Sequence, residues 1–327
     1  MGLEAVRLQP DARGTRGDGG SDRVAAELDA APIPTPSLGR LLLRSARPKQ
    51  WVKNGFVLVP GFFGAALGPR ELFSVVVVAS AYCVVSSSLY LVNDVVDREA
   101  DRAHARKRWR PIASGQLATR QALTAAAVGA SIGMLAATVV APAAGGLLGA
   151  YALLSVAYSV RLKQIVILDV MAIAAGFVLR VGSGALAARV PPSEWLLLCM
   201  LFLALFLGFG KRYHEIAMLG EQADEHRRVL GDYTPAALGQ FLSASMLGTL
   251  LSYALYTFFS ENASHHHGLV ITIPFACYGV FRYMLLVGTR SQGGSPEELL
   301  LSDRPLQITT VLWVATAAVV LYIPALS

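Results

Sequence analysis

The sequence predicts an all-α polytopic membrane protein, with nine transmembrane helices and a functional face on the cytoplasmic side. Three observations lead there. Of the 327 residues, 54% are hydrophobic and only 15% are charged, and apolar runs of membrane-spanning length recur along the chain. Backbone in hydrocarbon must satisfy its own polar groups, which leaves helices or closed barrels, and these runs are too long and continuous for barrel strands. Finally, Lys and Arg gather on one side of the resulting topology.

Residues 1–36 are rich in Gly, Asp, Arg, Ala and Pro and lack apolar periodicity, so a disordered cytoplasmic tail is expected before a transmembrane domain at 37–327. The tail has no continuous apolar stretch of the kind a signal peptide carries. Residues 37–53 alternate Leu with Arg and end in Trp51 and Lys53, which predicts a short amphipathic helix in the interface. Spanning helices are expected at 54–68, 72–93, 119–139, 143–160, 166–187, 194–210, 236–259, 269–288 and 306–325. The first is short and interrupted by Pro60-Gly61, so it is expected to tilt or to be partly re-entrant. With the N-terminus inside, the inner segments carry 20 of the 28 Lys and Arg, and the outer loops hold only Arg70 and Arg189. That bias puts the C-terminus outside, in the plasma membrane. Cys83, Cys199 and Cys277 lie far apart in apolar runs, without a CxxC pair, and are expected to pack in the membrane core.

The chemistry concentrates at the end of the second span, in Asn93-Asp94-Val95-Val96-Asp97-Arg98-Glu99-Ala100-Asp101. On a helix Asp94, Asp97 and Asp101 share one face. Three carboxylates there repel one another and are costly beside a bilayer, so a cation should offset them. Oxygen-only ligands suit Mg²⁺, which a few carboxylates hold together with substrate phosphates. The cluster therefore reads as a metal site for a phosphate substrate; a solvated helix end pairing with Arg98 and Arg102 is the plainer alternative. The loop that follows, with Lys107, Arg108 and Arg110, can hold phosphate oxygens, or serve topology and attraction to anionic lipid.

Other charges add to this. Lys53 and Asn54 could meet a lipid phosphate, or anchor the interface with Trp51. Asp169 and Arg180 fall in the fifth span, three turns apart, where single charges are costly unless they face a polar cavity. Asp169 could complete the metal site; Arg180 reads either as a phosphate ligand or as part of a buried structural pair. Lys211, Arg212, Tyr213 and Glu215 at the end of the sixth span form a second candidate phosphate site, or a basic helix end complementing the macrodipole. Arg282-Tyr283, Pro296-Glu297-Glu298 and Asp303-Arg304 read equally as site or solvated loop. His265-His266-His267 reads as an outer surface loop. Walker A, GxGxxG, GxSxG and HExxH motifs are absent, and the charge of +6 follows membrane topology rather than nucleic acid. Charges on one face, instead of along a path across the bilayer, disfavour a transporter.

The NDxxDxxxD pattern on the second of nine helices resembles the UbiA-type superfamily of intramembrane prenyltransferases. That superfamily usually has a second motif, DxxxD, which is missing here: Asp169 has Ile173 four residues on, and the sixth span ends in Lys211-Arg212-Tyr213-His214-Glu215. The segments Arg47–Asn54, Tyr90–Gly115, Gly210–Glu215 and Asp303–Gln307 are similar, in order, to one branch, the decaprenyl-phosphate phosphoribosyltransferases. The resemblance implies a UbiA-type bundle and transfer of 5-phosphoribose from phosphoribosyl pyrophosphate to polyprenyl phosphate, with Mg²⁺ as cofactor. It implies that Asp94, Asp97 and Asp101 are catalytic and metal-holding, with Asn93 assisting. The product would be a lipid-linked precursor of cell-wall arabinan. Expected partners are the two substrates and the membrane, with room for a homo-oligomer. The alternative is a prenyltransferase using a prenyl diphosphate donor.

Overall fold

Eight helices among the described residues are long and apolar enough to cross a membrane. The structure, a computed structural model, describes residues 36–65, 68–219, 230–260, 267–289, 299–300 and 302–323. The tail to residue 35, His265, His266 and Pro296-Glu297-Glu298 lie outside the described residues. The chain divides into two units, residues 1–40 and 41–327, and the second holds the bundle.

The interfacial helix begins as α1 (Leu38–Ser45). It stops where Pro48 disfavours right-handed backbone at the residue before it; Arg47 instead takes a left-handed conformation, φ 55°. From Pro48 to Leu58 the chain is a 3₁₀ helix, which runs into the short α2 (Val59–Phe63). This segment replaces the expected first span at 54–68, so eight membrane-length helices stand where nine were expected. A 3₁₀ helix rises about 2.0 Å per residue against 1.5 Å for α, so the segment covers roughly 30 Å with fewer residues than an α-helix needs. Its start lies by Asp94, which Arg47 contacts, and near its end the Phe62 carbonyl accepts a 3.0 Å hydrogen bond from the Tyr322 hydroxyl.

The spans are α3 (Pro69–Val96), α5 (Thr119–Val140), α6 (Pro142–Val160), α7 (Leu168–Ala188), α8 (Glu194–Leu219), α9 (Pro235–Phe259), α10 (Ile273–Thr289, with the turn before it) and α11 (Arg304–Tyr322); the short α4 (Arg98–Ala103) follows α3. Their bounds fall within a few residues of expectation except for α8. That helix continues past 210 to Leu219, so Lys211–Glu215 project from continuous helix.

Between helices in lipid there is little hydrophobic drive, so association depends on close packing of small residues. Gly184 of α7 touches the 3₁₀ segment: a Cβ there would lie 2.0 Å from the Val57 carbonyl oxygen. Gly208 of α8 does the same for α7, since its Cβ would lie 2.5 Å from Val170 Cγ1. Tyr82, Val85, Leu148 and Tyr151 are buried between α3 and α6. Leu135, Val139, Leu153 and Leu247 are exposed, as suits a lipid-facing surface. Ser87, Ser88, Ser155, Ser245 and Thr249 bond back to carbonyls of their own helices, Ser87 to Cys83 at 2.7 Å, and so need no water. The three cysteines are free, with Cys199 buried.

Gly184→Val is expected to destabilise the detergent-solubilised protein by about 1–3 kcal/mol, because the atom it strikes is backbone and cannot rotate away. Gly55→Ala, where nothing lies within 4 Å of the added Cβ, is the neutral control. Equal melting temperatures for the two variants would remove the Gly184 contact from the account.

Candidate active site at the carboxylate end of the bundle

The last turn of α3 carries Asn93 and Asp94, the helix breaks at Asp97 (φ −84°, ψ 6°), and α4 presents Asp101 one turn later. Asp94 and Asp101 are each 3% exposed. Their charges meet in Arg110, whose Nη1 donates to Asp94 Oδ1 at 3.0 Å and to Asp101 Oδ2 at 2.6 Å. Arg47 donates to the same Asp94 oxygen and lies 4.8 Å over the Tyr90 ring. Arg110 is in place because the basic loop folds back: Ile112 and Leu117 are buried with Leu41 and Leu91, and Arg102 Nε donates to the Ala113 carbonyl at 3.0 Å.

One cationic atom thus serves both carboxylates. Among the described residues no three His, Cys, Asp or Glu side chains are grouped so as to hold a metal ion. A divalent cation here would have two protein carboxylates and would take its other ligands from water or phosphate, which is how Mg²⁺ is usually held. Asn93 and Asp97 are half-buried on the same helix end. Lys107 and Arg108 are exposed on a single 3₁₀ turn, with Arg108 stacked 5.0 Å from the Trp109 ring centre.

A second cluster joins α7, α8 and the turn that leads into α9. Asp169, fully buried, accepts from Arg212 Nε at 2.7 Å, and Arg212 Nη1 donates to Glu215 Oε2 at 2.6 Å. Close packing at Gly208 makes this possible, since Val170 neighbours Asp169 and Arg212 lies one turn beyond Gly208. Tyr233 completes the cluster: its hydroxyl donates to Asp169 Oδ1 at 2.8 Å and accepts from the Ile167 N–H at 2.7 Å. Burial pushes the Tyr233 phenol up; Asp169 adds to this and the Ile167 N–H opposes it, so Tyr233 stays a neutral donor. Ile167, at φ 69° and ψ −47°, is the centre of a γ-turn closed by Leu168 N to Val166 O at 2.8 Å. That conformation is strained for a β-branched residue.

The other expected site residues lie elsewhere. Asn54 is buried with Arg180, deep in the bundle and about 16 Å along α7 from Asp169. Arg180 donates from Nε to Asn54 Oδ1, from Nη1 to the Gly176 carbonyl and from Nη2 to the Tyr151 hydroxyl, each at 2.9 Å, and packs against the Tyr82, Tyr151 and Phe177 rings. Lys53 and Lys211 are half-buried, and Tyr213 packs on the apolar cluster around Phe209. Arg282 pairs with Asp303, which also caps α11 through the Leu306 N–H.

The architecture has known counterparts. The UbiA prenyltransferase family model matches residues 57–302. The chain belongs to the UbiA prenyltransferase family. Two relatives are named decaprenyl-phosphate phosphoribosyltransferase. The Corynebacterium glutamicum protein is 34% identical over 298 residues, 89% of each chain. The Mycolicibacterium smegmatis protein is 32% identical, over 88% of this chain and 95% of its own. A UbiA homolog from Archaeoglobus fulgidus bound to DMAPP and Mg²⁺ has the same fold, with a TM-score of 0.63 at 17% identity over 86% of this chain and 99% of its own. Membership makes this a multi-pass membrane transferase.

Two residues of this candidate site escaped the reading of the sequence. Arg47 had a signal, a cation immediately before Pro48 in an interfacial segment. Tyr233 had none, because it lies 64 residues from Asp169. Tyr233→Phe, which strips Asp169 of a donor and leaves the Ile167 N–H without its acceptor, is expected to cost about 1–3 kcal/mol. An unchanged melting temperature would show that the hydroxyl carries no such load.

Proposed function

We propose that this chain transfers 5-phosphoribose from phosphoribosyl pyrophosphate to a polyprenyl phosphate, decaprenyl phosphate in its relatives, and releases pyrophosphate. The observation that supports it best is the pair of carboxylate–guanidinium clusters at one end of the bundle, in a chain so similar to enzymes named for that transfer. The lysine and arginine bias makes that end cytoplasmic, with the C-terminus outside the plasma membrane. Residues 37–327 are the catalytic unit.

The donor pyrophosphate lies against Asp94 and Asp101, with Asp97 and Asn93 beside them on the same helix end. Mg²⁺ held by these carboxylates would neutralise the charge that develops on the leaving pyrophosphate. The C1–O bond to pyrophosphate breaks as an oxygen of the lipid phosphate bonds to C1. That phosphate is already ionised, so no side chain need remove a proton. Lys53, Lys107, Arg108 and Lys211 supply positive potential for the 5-phosphate and the lipid phosphate, while Arg212, bonded to Asp169 and Glu215, fixes the wall beside Lys211. Asn54, Asp169, Arg180, Tyr213 and Glu215 set the walls that carry those groups. Most of the rate comes from holding two anionic substrates in reacting geometry.

The second reading, a prenyltransferase with a prenyl diphosphate donor, is favoured by the DMAPP-bound fold neighbour. It sits less well with the second cluster, where Arg212 occupies both Asp169 and Glu215.

Pyrophosphate release by the purified protein is expected to require Mg²⁺, phosphoribosyl pyrophosphate and polyprenyl phosphate together. Release with a prenyl diphosphate and an acceptor instead would move the chain to the second reading. Asp97→Ala is expected to abolish turnover while the protein stays folded, and full activity would sink its assignment. Lys211→Ala is expected to raise KM for one of the phosphate substrates, about tenfold for each 1.4 kcal/mol lost. Unchanged kinetics would take Lys211 out of the site.

A further inference from the structure

We propose that Arg110 is an internal counter-ion, displaced from Asp94 and Asp101 by the donor's divalent cation and then recruited to the donor's phosphate oxygens. This rests on the reading of Asp94 and Asp101 as the metal-holding pair.

The geometry makes Arg110 a stand-in for a metal. Its Nη1 is within 3.0 Å of an oxygen of each carboxylate, the point from which a cation could bridge them. Arg47 reaches Asp94 alone and is held by its own left-handed backbone and the Tyr90 ring, so it remains in place. Two carboxylates and two guanidiniums balance, so a divalent cation arriving alone meets carboxylates that are already neutralised and a like charge at the bridging point. A cation arriving with pyrophosphate brings the negative charge that a displaced guanidinium can take up.

The loop is built for such a movement. The backbone after Arg110 is fixed, because Pro111, Ile112 and Ala113 are buried. Its side chain is 29% exposed, although the carboxylates it bridges are nearly sealed. The guanidinium can therefore swing while its anchor holds. The exchange couples metal and donor, each strengthening the other's binding by the same factor.

The test uses the full chain in detergent, with Mn²⁺ as a paramagnetic probe titrated with and without inorganic pyrophosphate. Wild type is expected to bind Mn²⁺ weakly alone and more tightly with pyrophosphate. Arg110→Gln is expected to bind Mn²⁺ about tenfold more tightly alone, because one opposing charge is gone, and to lose the tightening by pyrophosphate. Arg110→Lys keeps the charge and is expected to bind Mn²⁺ alone as weakly as wild type. Mn²⁺ affinity that is unchanged or weaker in Arg110→Gln would overturn the exchange. Asp94→Asn in the Arg110→Gln background separates the two levels: if Mn²⁺ binding survives it, the metal assignment fails, whatever donor the enzyme uses. A measurement on the unaltered site guards against a variant that does not fold. Trp109, exposed and adjacent to Arg110, should change emission when Mn²⁺ and pyrophosphate are added together, and Trp109→Phe should remove that change. No change attributable to Trp109 would count against movement of Arg110.

Discussion

Carboxylates buried at the edge of a membrane bundle cannot stand alone, and the guanidiniums that answer them organise that end of the molecule. Stripping an ion of water costs several kcal/mol, and only a close, well-bonded partner offsets it. Asp94 and Asp101 obtain theirs from Arg110, which requires the basic loop to fold back and seat Ile112 and Leu117 beside Leu91. Asp169 obtains its own from Arg212, which requires α8 to continue beyond its membrane-length run and to approach α7 closely at Gly208. Each pairing therefore dictates a piece of backbone: a loop in one case, a helix extension in the other.

Arg180 obeys the same constraint in a different way. No carboxylate pairs with it among the described residues; its charge is solvated by the Asn54 and Gly176 carbonyl oxygens, the Tyr151 hydroxyl and three ring faces. A phosphate at Arg180 would have to displace Asn54 or Tyr151, and losing Asn54 would remove the polar tie between the 3₁₀ segment and α7. That segment carries Arg47 just before its start and Lys53 within it. Arg180 thus bears on the carboxylate end through the position of the chain that leads there.

The spans were legible because a run of some 20 apolar residues is a strong and nearly unambiguous signal. The segment Pro48–Phe63 was not, because no periodicity announces a 3₁₀ helix of this length. The end of α8 was set too early for a related reason: Lys211 and Arg212 look like the close of a hydrophobic run, and nothing local reveals that Arg212 is paid for by an acid 43 residues away. The acidic and basic stretches around Asp94 and Arg110 could be read because their spacing is local. The Asp169–Arg212–Tyr233 cluster could not be assembled, since α7, α8 and the turn before α9 each contribute a single part.

The two clusters also differ in what they can do. Arg212 and Asp169 are sealed, at 2% and 0% exposure, and breaking such a pair leaves a charge without compensation. Arg110 is 29% exposed and lies against carboxylates that a stronger cation could claim, with Arg47 left on Asp94. Partners can be exchanged at the first cluster, whereas the second is a fixed strut. This bears on the reaction. A second DxxxD motif is missing from this chain beyond Asp101, and the acids of the second cluster are committed to Arg212. A donor would meet carboxylates on one side only and cationic side chains on the others. Such a site suits two substrates that each bring a phosphate, and suits less well a donor that must leave a bare prenyl cation beside fixed positive charge.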